Sequence, residues 1–207
     1  MATARGHALA LVAGLVVSLA PCSCKGHRTE TAPVAPAADT ERGWSDPVPV
    51  GDEFEPLAHY RARLEADHLV IEVRHTKGWH SYAMDNEVRA AEKLQDVESL
   101  GIEEPTSFAV EGAHVASGWW QTPPEDLSDE KIQWYTWGFN GKAVFVARIG
   151  DFGSDPIVIG IFGQICNAET CRSVDVRIRV DPARNRITSP PDLGKLIRVR
   201  VPQAKNE

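Results

Sequence analysis

Two cysteines set the chemical question. Cys166 and Cys171 stand in Ile157-Val-Ile-Gly-Ile-Phe-Gly-Gln-Ile-Cys166-Asn-Ala-Glu-Thr-Cys171-Arg-Ser-Val-Asp-Val-Arg-Ile178. An apolar, β-forming run enters Cys166, and an alternating run leaves Cys171. If the runs pair as a hairpin, the cysteines oppose each other across its neck. Opposed Cα atoms in an antiparallel ladder lie about 4.5–5.5 Å apart, inside the usual disulfide range of about 4.4–6.8 Å. Three chemistries fit this spacing: a redox-active dithiol/disulfide, a local structural staple, and a two-thiol metal site that would need a further ligand, with His80 the obvious candidate. Closing so short a loop contributes roughly 2 kcal/mol, against about 4.7 kcal/mol for a loop of 100 residues. A staple this local therefore adds little, and bridges in immunoglobulin-like domains more often join the two sheets.

The elements around this pair read as strands. Tyr60, Ala62 and Leu64 alternate with His59, Arg61 and Arg63, and Leu69, Ile71 and Val73 alternate with Val70, Glu72 and Arg74. Such period-two patterns predict strand, short turn, strand. Further strands are expected at Trp79–Tyr82, Ala143–Ile149, Ile157–Phe162, Val174–Val180 and near Leu196–Val201. Only Asn86 to about Leu100 reads helical, with Val88, Ala91, Leu94 and Val97 near one face and Gly101 as its stop. Short strands with little helix predict an all-β, immunoglobulin-like antiparallel β-sandwich with at most one short helix.

Composition excludes several functions. The 207 residues carry 22 Lys+Arg and 29 Asp+Glu, a net charge of −7. An acidic chain is a poor general nucleic-acid binder, because neutralising phosphates needs a basic face. Four cysteines in this length are too few for a disulfide-built scaffold. The seven histidines form no close pair, and no P-loop, Gly-x-Gly-x-x-Gly, Gly-x-Ser-x-Gly or His-Glu-x-x-His motif is present. No cofactor and no metal are expected.

The N-terminus predicts export. Arg5 precedes the uncharged run Ala8–Ala20, too short for a membrane span of about 20 residues but suited to a secretory signal over residues 1–24. Cys22 and Cys24 lie at its boundary and are candidate lipid anchors. Leu19-Ala20 suits lipoprotein processing at Cys22, whereas Pro21 does not. Residues 25–51, rich in Pro, Ala and Thr, are expected to be a disordered tether. Residues 52–184 should form the folded domain, and 185–207 an extension with one added strand.

Several residues together resemble the N-terminal periplasmic domain of the thiol:disulfide interchange protein DsbD family. Gly78-Trp-His-Ser-Tyr82 is similar to that family's Gly-aromatic-x-x-Tyr strand, and Phe139-Asn-Gly-Lys142 to the segment around its cap loop. Ile165-Cys166-Asn-Ala-Glu-Thr-Cys171 is similar to its redox loop, and Glu104-Pro-Thr-Ser-Phe108 to a Pro-Thr-Ser segment common there. The order of these landmarks along residues 52–182 is the stronger argument.

The resemblance implies an immunoglobulin-like fold in which Cys166 and Cys171 cycle between disulfide and dithiol. It implies electron transfer from thioredoxin-like redox proteins to periplasmic disulfide-handling proteins; from the N-terminus, the membrane is expected to be reached only through a lipid anchor. It also implies an aromatic lid over the sulfurs, with Phe139 at the matching position. Tyr82 and His80, two apart on one strand, would face the sulfurs, and His80 as an imidazolium would lower a thiol pKa. Arg172-Ser173 departs from the prolines that many relatives carry after the second cysteine. No multi-span segment or thioredoxin domain is read in the chain, so its electron donor is expected in trans. The rival expectation is a non-catalytic immunoglobulin-like binding module clamped by a hairpin disulfide. Trp119, Trp120, Trp134 and Trp137 with Tyr135 fit either a sugar or protein contact surface or ordinary core packing.

Overall fold

The computed structural model describes residues 41–52, 54–94 and 103–202. The signal, Cys22 and Cys24, most of the expected tether, Val97 and Gly101 lie outside the described residues.

Fourteen strands and one α-helix are present among the described residues. In chain order they are β1 (Val48–Gly51), β2 (Pro56–Glu65), β3 (His68–His75), β4 (His80–Tyr82), α1 (Asn86–Leu94), β5 (Ser107–Glu111), β6 (His114–Val115), β7 (Trp120–Gln121), β8 (Glu125–Asp126), β9 (Trp137–Asn140), β10 (Lys142–Gly150), β11 (Ile157–Cys166), β12 (Cys171–Val180), β13 (Arg186–Ile187) and β14 (Ile197–Arg198). The first sheet runs β1-β2-β3-β10-β7-β14, with β13 beside β2 and β6 beside β10. The second runs β12-β11-β4-β9-β8, with β5 also beside β11. All pairs are antiparallel except β13 with β2. The protein is the expected immunoglobulin-like antiparallel β-sandwich with one short helix.

The period-two residues build the core. Tyr60, Ala62, Leu64, Leu69, Ile71 and Val73 from the first sheet meet Ile157, Ile159, Ile161, Ile165 and Ile178 from the second, all buried in one cluster. Burying a side chain of this size contributes about 1.5–3 kcal/mol, so this interior, not a cross-link, holds the sandwich.

Three expectations need correction. The folded body begins before residue 52: Val48–Gly51 pairs with β2, and Val50 is buried in the core. Between 185 and 202 the chain adds two short strands to the first sheet where one was expected, β13 on β2 and β14 on β7. On α1 the buried residues are Asn86, Ala90 and Leu94, spaced by four, whereas Ala91 is exposed and Val88 only half-buried. The helix is turned so that its polar first residue also points inward.

Buried polar anchors explain that rotation. Asn86 Oδ1 accepts from the Trp137 amide (2.7 Å) and the Thr136 hydroxyl (3.1 Å), and its Nδ2 donates to the Glu103 carbonyl (3.2 Å). Asp85 accepts from Arg89 Nε (2.7 Å), Gln121 Nε2 (2.7 Å) and the Arg200 amide (3.1 Å). Burial would raise the Asp85 carboxyl, but these donors outweigh it and hold it below the usual range. On the outside of the first sheet, Glu72 is likewise buried beneath Arg61, Arg74 and Lys142. Burial opposes its charge, and the three cations together still lower its pKa.

Candidate redox site

The disulfide follows from the register of one hairpin. From Ile157↔Val180, the β11–β12 ladder runs without a shift to Cys166↔Cys171. The adjoining Asn167 amide donates to the Thr170 carbonyl (2.9 Å). Hydrogen-bonded and non-bonded pairs alternate in an antiparallel ladder, so the cysteines occupy the closer, non-bonded kind. Their Cα atoms are 4.1 Å apart and their sulfurs are bonded. Asn167 also shapes the loop, its Oδ1 accepting from the Glu169 and Thr170 amides at 2.8 Å each. This is a side-chain-closed turn of the kind Asn favours.

The two sulfur-bearing residues differ in access. Cys166 is 2% exposed, whereas Cys171, opening the sheet's last strand, is exposed. Register shows which side chains share their face. Cys171, Cys166, His80 and Asn140 form one row across four strands. Paired residues in a sheet project to the same side, so these four side chains point together. Tyr82, two residues beyond His80, joins that face. Both Tyr82 and Cys166 are buried yet lie outside the main core cluster, so this is the outer face of the second sheet. Part of its cover is the segment 103–106, where the Thr106 amide and hydroxyl both donate to the Tyr82 carbonyl. Gly163, at φ +137, lets that segment approach: a Cβ there would lie 2.8 Å from the Pro105 carbonyl oxygen.

Burial works against the expected charge on His80. Its Nε2 is hydrogen-bonded to the Tyr82 hydroxyl (3.2 Å), with the rings edge-to-face at 5.4 Å. Burial lowers the His80 pKa below the ordinary histidine value, favouring neutral imidazole. An imidazolium that lowers a thiol pKa is therefore disfavoured at neutral pH. Burial, reinforced by the Glu103 carboxylate, pushes the Tyr82 phenol up, so it stays protonated. The His80–Tyr82 pair is a hydrogen-bonding platform beside Cys166.

Phe139 is not a lid. Its row is Arg172, Ile165, Ser81 and Phe139, one residue out of step with the cysteine row and so on the opposite face. It is 2% exposed, and its ring meets Phe145 of the first sheet edge-to-face at 5.4 Å. Strand alternation alone turns it into the core. In the cysteine row, the residue that β9 contributes is its neighbour Asn140, whose Nδ2 donates to Glu125 Oε2 (2.9 Å).

The aromatic-rich segment does not form one platform. Trp119 packs on Phe108 (4.8 Å), Trp120 lies under the Arg198 guanidinium (4.3 Å), and Tyr135 and Trp137 flank the Lys93 ammonium (5.3 and 5.6 Å). The Trp134 indole donates to Glu103 Oε1 (3.2 Å). Lys93 also pairs with Asp126 and Glu130. These contacts attach α1 and the C-terminal segment to the sheets.

Sequence reasoning missed a histidine behind the site. His75 Nδ1 faces the Gly141 carbonyl (3.0 Å) and Nε2 faces the Ser81 hydroxyl (2.9 Å). A carbonyl can only accept, so Nδ1 carries the proton and Nε2 accepts from Ser81. Burial pushes the His75 pKa down to about 4, against the opposing Gly141 bond. His75 thus ties β3, β4 and the β9–β10 turn together. Among the described residues, no group of three or more His, Cys, Asp or Glu side chains is placed to hold a metal ion, and no helix is long and apolar enough to cross a membrane.

No family model and no curated protein matches the chain. Solved structures do resemble it. The N-terminal domain of Neisseria meningitidis DsbD in its reduced form is 13% identical, with 58% of this chain and 81% of that chain covered and a TM-score of 0.40. The same domain in complex with the PilB N-terminal domain from Neisseria meningitidis is 10% identical, covering 59% and 80% at a TM-score of 0.35. The GAE domain of GGA2p from Saccharomyces cerevisiae is 7% identical, covering 66% and 98% at a TM-score of 0.33.

Proposed function

We propose that the protein is an exported thiol:disulfide interchange protein, held at the membrane through Cys22 or Cys24, that passes electrons through Cys166–Cys171. One observation carries this reading: the disulfide closes a tiny loop in a sandwich with a large apolar interior, and offers one exposed and one buried half. A structural bridge gains most from long loops and full burial. This pair has neither.

The exchange proceeds in two displacements. A thiolate of a reduced thioredoxin-like partner attacks Cys171 Sγ. The Cys166–Cys171 bond breaks, its electron pair leaves on Cys166 Sγ, and that sulfur takes a proton from solvent. The partner's second thiolate then attacks its own sulfur in the mixed disulfide and releases Cys171 as a thiolate, which is protonated in turn. The partner leaves oxidised, and the protein leaves as a dithiol that reduces a disulfide-handling protein by the reverse steps. Access to a sulfur limits such exchange, which assigns Cys171 as the attacked position.

The reduction potential of the pair is the direct test. Equilibration in glutathione or dithiothreitol redox buffers, followed by alkylation and mass measurement, should place it above about −300 mV. A value well below that marks a structural clamp and overturns the reading in favour of a binding module. The mass of the mature N-terminus checks lipidation separately.

A further inference from the structure

The outer face of the first sheet is partly roofed by the chain's own C-terminal segment. Strand β13 lies beside β2 and β14 beside β7, so residues 188–196 must pass from β2 across the sheet to β7. Beneath them lies a row that the register fixes: Arg63 on β2, Val70 on β3, Val146 on β10 and Trp120 on β7. Paired residues project to the same side. Val70 and Val146 alternate with the core residues Leu69, Ile71 and Phe145, and both are buried outside the core cluster. The row therefore faces outward from the first sheet, whereas Cys166 and Cys171 face outward from the second.

Two clefts on this face meet at Arg63 and Glu65. The first, of about 470 Å³, is lined by Arg42, Arg63, Glu65, Arg186, Thr188 and Ser189. The second, of about 500 Å³, continues along Val70, Val144 and Val146, with Pro191, Leu196 and Trp44 as its walls. Both fall in the roughly 300–1,000 Å³ typical of small-molecule sites. One end is cationic and the other largely apolar. Arg63 is held in place: its Nε donates to Glu65 Oε1 (2.7 Å), its Nη1 to the Arg42 carbonyl (2.9 Å), and its guanidinium lies 4.3 Å from the Trp44 ring. Arg186 donates to the Ala66 carbonyl (3.2 Å) and lies 5.4 Å from the Phe152 ring, and among the described residues it pairs with no carboxylate. With Lys142 and Lys195, five cations line the two clefts against the three carboxylates of Glu65, Glu72 and Asp192. On a chain of net charge −7, a local excess of positive charge draws an anion to this place and not elsewhere.

We propose that this groove binds a small amphipathic oxyanion, an apolar body that carries a carboxylate or phosphate group. A guanidinium fork matches either oxyanion with two parallel hydrogen bonds. The head lies among Arg42, Arg186 and the exposed Thr188 and Ser189 hydroxyls. The tail runs past the Arg63–Glu65 pair toward the valines and Leu196. From Arg63 to Val146 is two strand spacings, about 10 Å, a length that an octyl chain covers. The site is independent of the exchange reading, since no residue of the cysteine row takes part in it.

Isothermal titration calorimetry of the protein with octyl phosphate, octanoate, octanol and inorganic phosphate tests this. Saturable one-to-one binding of octyl phosphate or octanoate is expected, at least about tenfold tighter than that of octanol or inorganic phosphate. The tighter of the two amphiphiles identifies the head group. Arg186→Gln should weaken it about tenfold, and Arg186→Lys, which keeps the charge without the fork, should weaken it less. Leu196→Ser should weaken the amphiphile and leave inorganic phosphate unchanged. Arg186 is exposed and Leu196 half-buried outside the core cluster, so all three variants should remain folded, which urea titration checks. Absence of saturable binding by both amphiphiles, or octanol or inorganic phosphate binding as tightly as they do, would overturn the proposal. So would full affinity in folded Arg186→Gln or folded Leu196→Ser.

Discussion

Cys166 and Cys171 face each other in register across a hairpin, yet only Cys171 meets solvent. The asymmetry comes from sheet position. Cys171 opens an outermost strand, while Cys166 ends a strand flanked by β12 on one side and β4 on the other.

The two thiols of the reduced protein should therefore react unequally. With iodoacetamide at limiting time, peptide mapping should find Cys171 modified at least about ten times faster than Cys166, since thiolate access controls reactivity. Cys166→Ser should trap a mixed disulfide at Cys171 with a partner, and Cys171→Ser should trap little. Equal rates at both positions would refute the assignment of the attacked sulfur.

Removing the bridge should cost little stability. For a loop this short the chain-entropy contribution is about 2 kcal/mol. The Cys166→Ala/Cys171→Ala double variant should stay folded in urea titration, with a loss near that figure. Failure to fold, or a loss above about 5 kcal/mol, would show that the sandwich depends on the clamp.

Phe139→Ala should behave as a core deletion. Its ring spans the two sheets onto Phe145, and truncating such a buried ring costs about 3–5 kcal/mol. Phe139→Leu should cost much less. Neither should change alkylation of the reduced thiols beyond what global unfolding explains. A selective acceleration at Cys166 or Cys171 in a fully folded Phe139→Leu protein would restore the lid.

Stability should fall as pH drops from about 6.5 to 4. His75 has a folded pKa near 4 and an ordinary unfolded value near 6.5. In that window the unfolded chain binds a proton that the folded one refuses, so stability is full above the window and is lost on acidification. His80, lowered by burial, contributes with the same sign. Glu72 and Asp85, lowered in the fold, lose their contributions at the acid end, when they protonate. The slope of Tm against pH across this window should flatten in His75→Asn. An unchanged slope would mean that this histidine is not the titrating group.

Much of the fold was legible because alternation is a direct imprint of a half-buried sheet. Tyr60-x-Ala62-x-Leu64 and Leu69-x-Ile71-x-Val73 point inward as read, and the facing of Cys166 and Cys171 followed from two strand patterns and a four-residue gap. What failed was parity. The family resemblance puts Phe139 over the sulfurs, but a strand sends adjacent residues to opposite faces, and the residue in the cysteine row is Asn140. Charge also misled: His80 sits where expected, yet burial, which sequence does not encode locally, lowers its pKa. No sequence pattern marked Asp85 and Asn86 as buried anchors. Their inward bonds to Gln121, Trp137 and Arg200 join segments far apart in the chain.

The return of the C-terminal segment into the first sheet bears on the order of folding. β13 pairs with the end of β2, and β14 with β7, so one sheet draws on both extremes of the folded body. The β2–β3 and β11–β12 hairpins are local and can form as soon as their own residues are available. The parallel seam of Arg186 on Leu64, and the Arg200 amide on Asp85, must wait for nearly the whole chain. Such non-local closures put the protein among slow folders, on the millisecond-to-second scale typical of sandwich topologies. The sheet edges that β13 and β14 eventually cover stay open until last, the interval in which a growing chain is most exposed to mispairing.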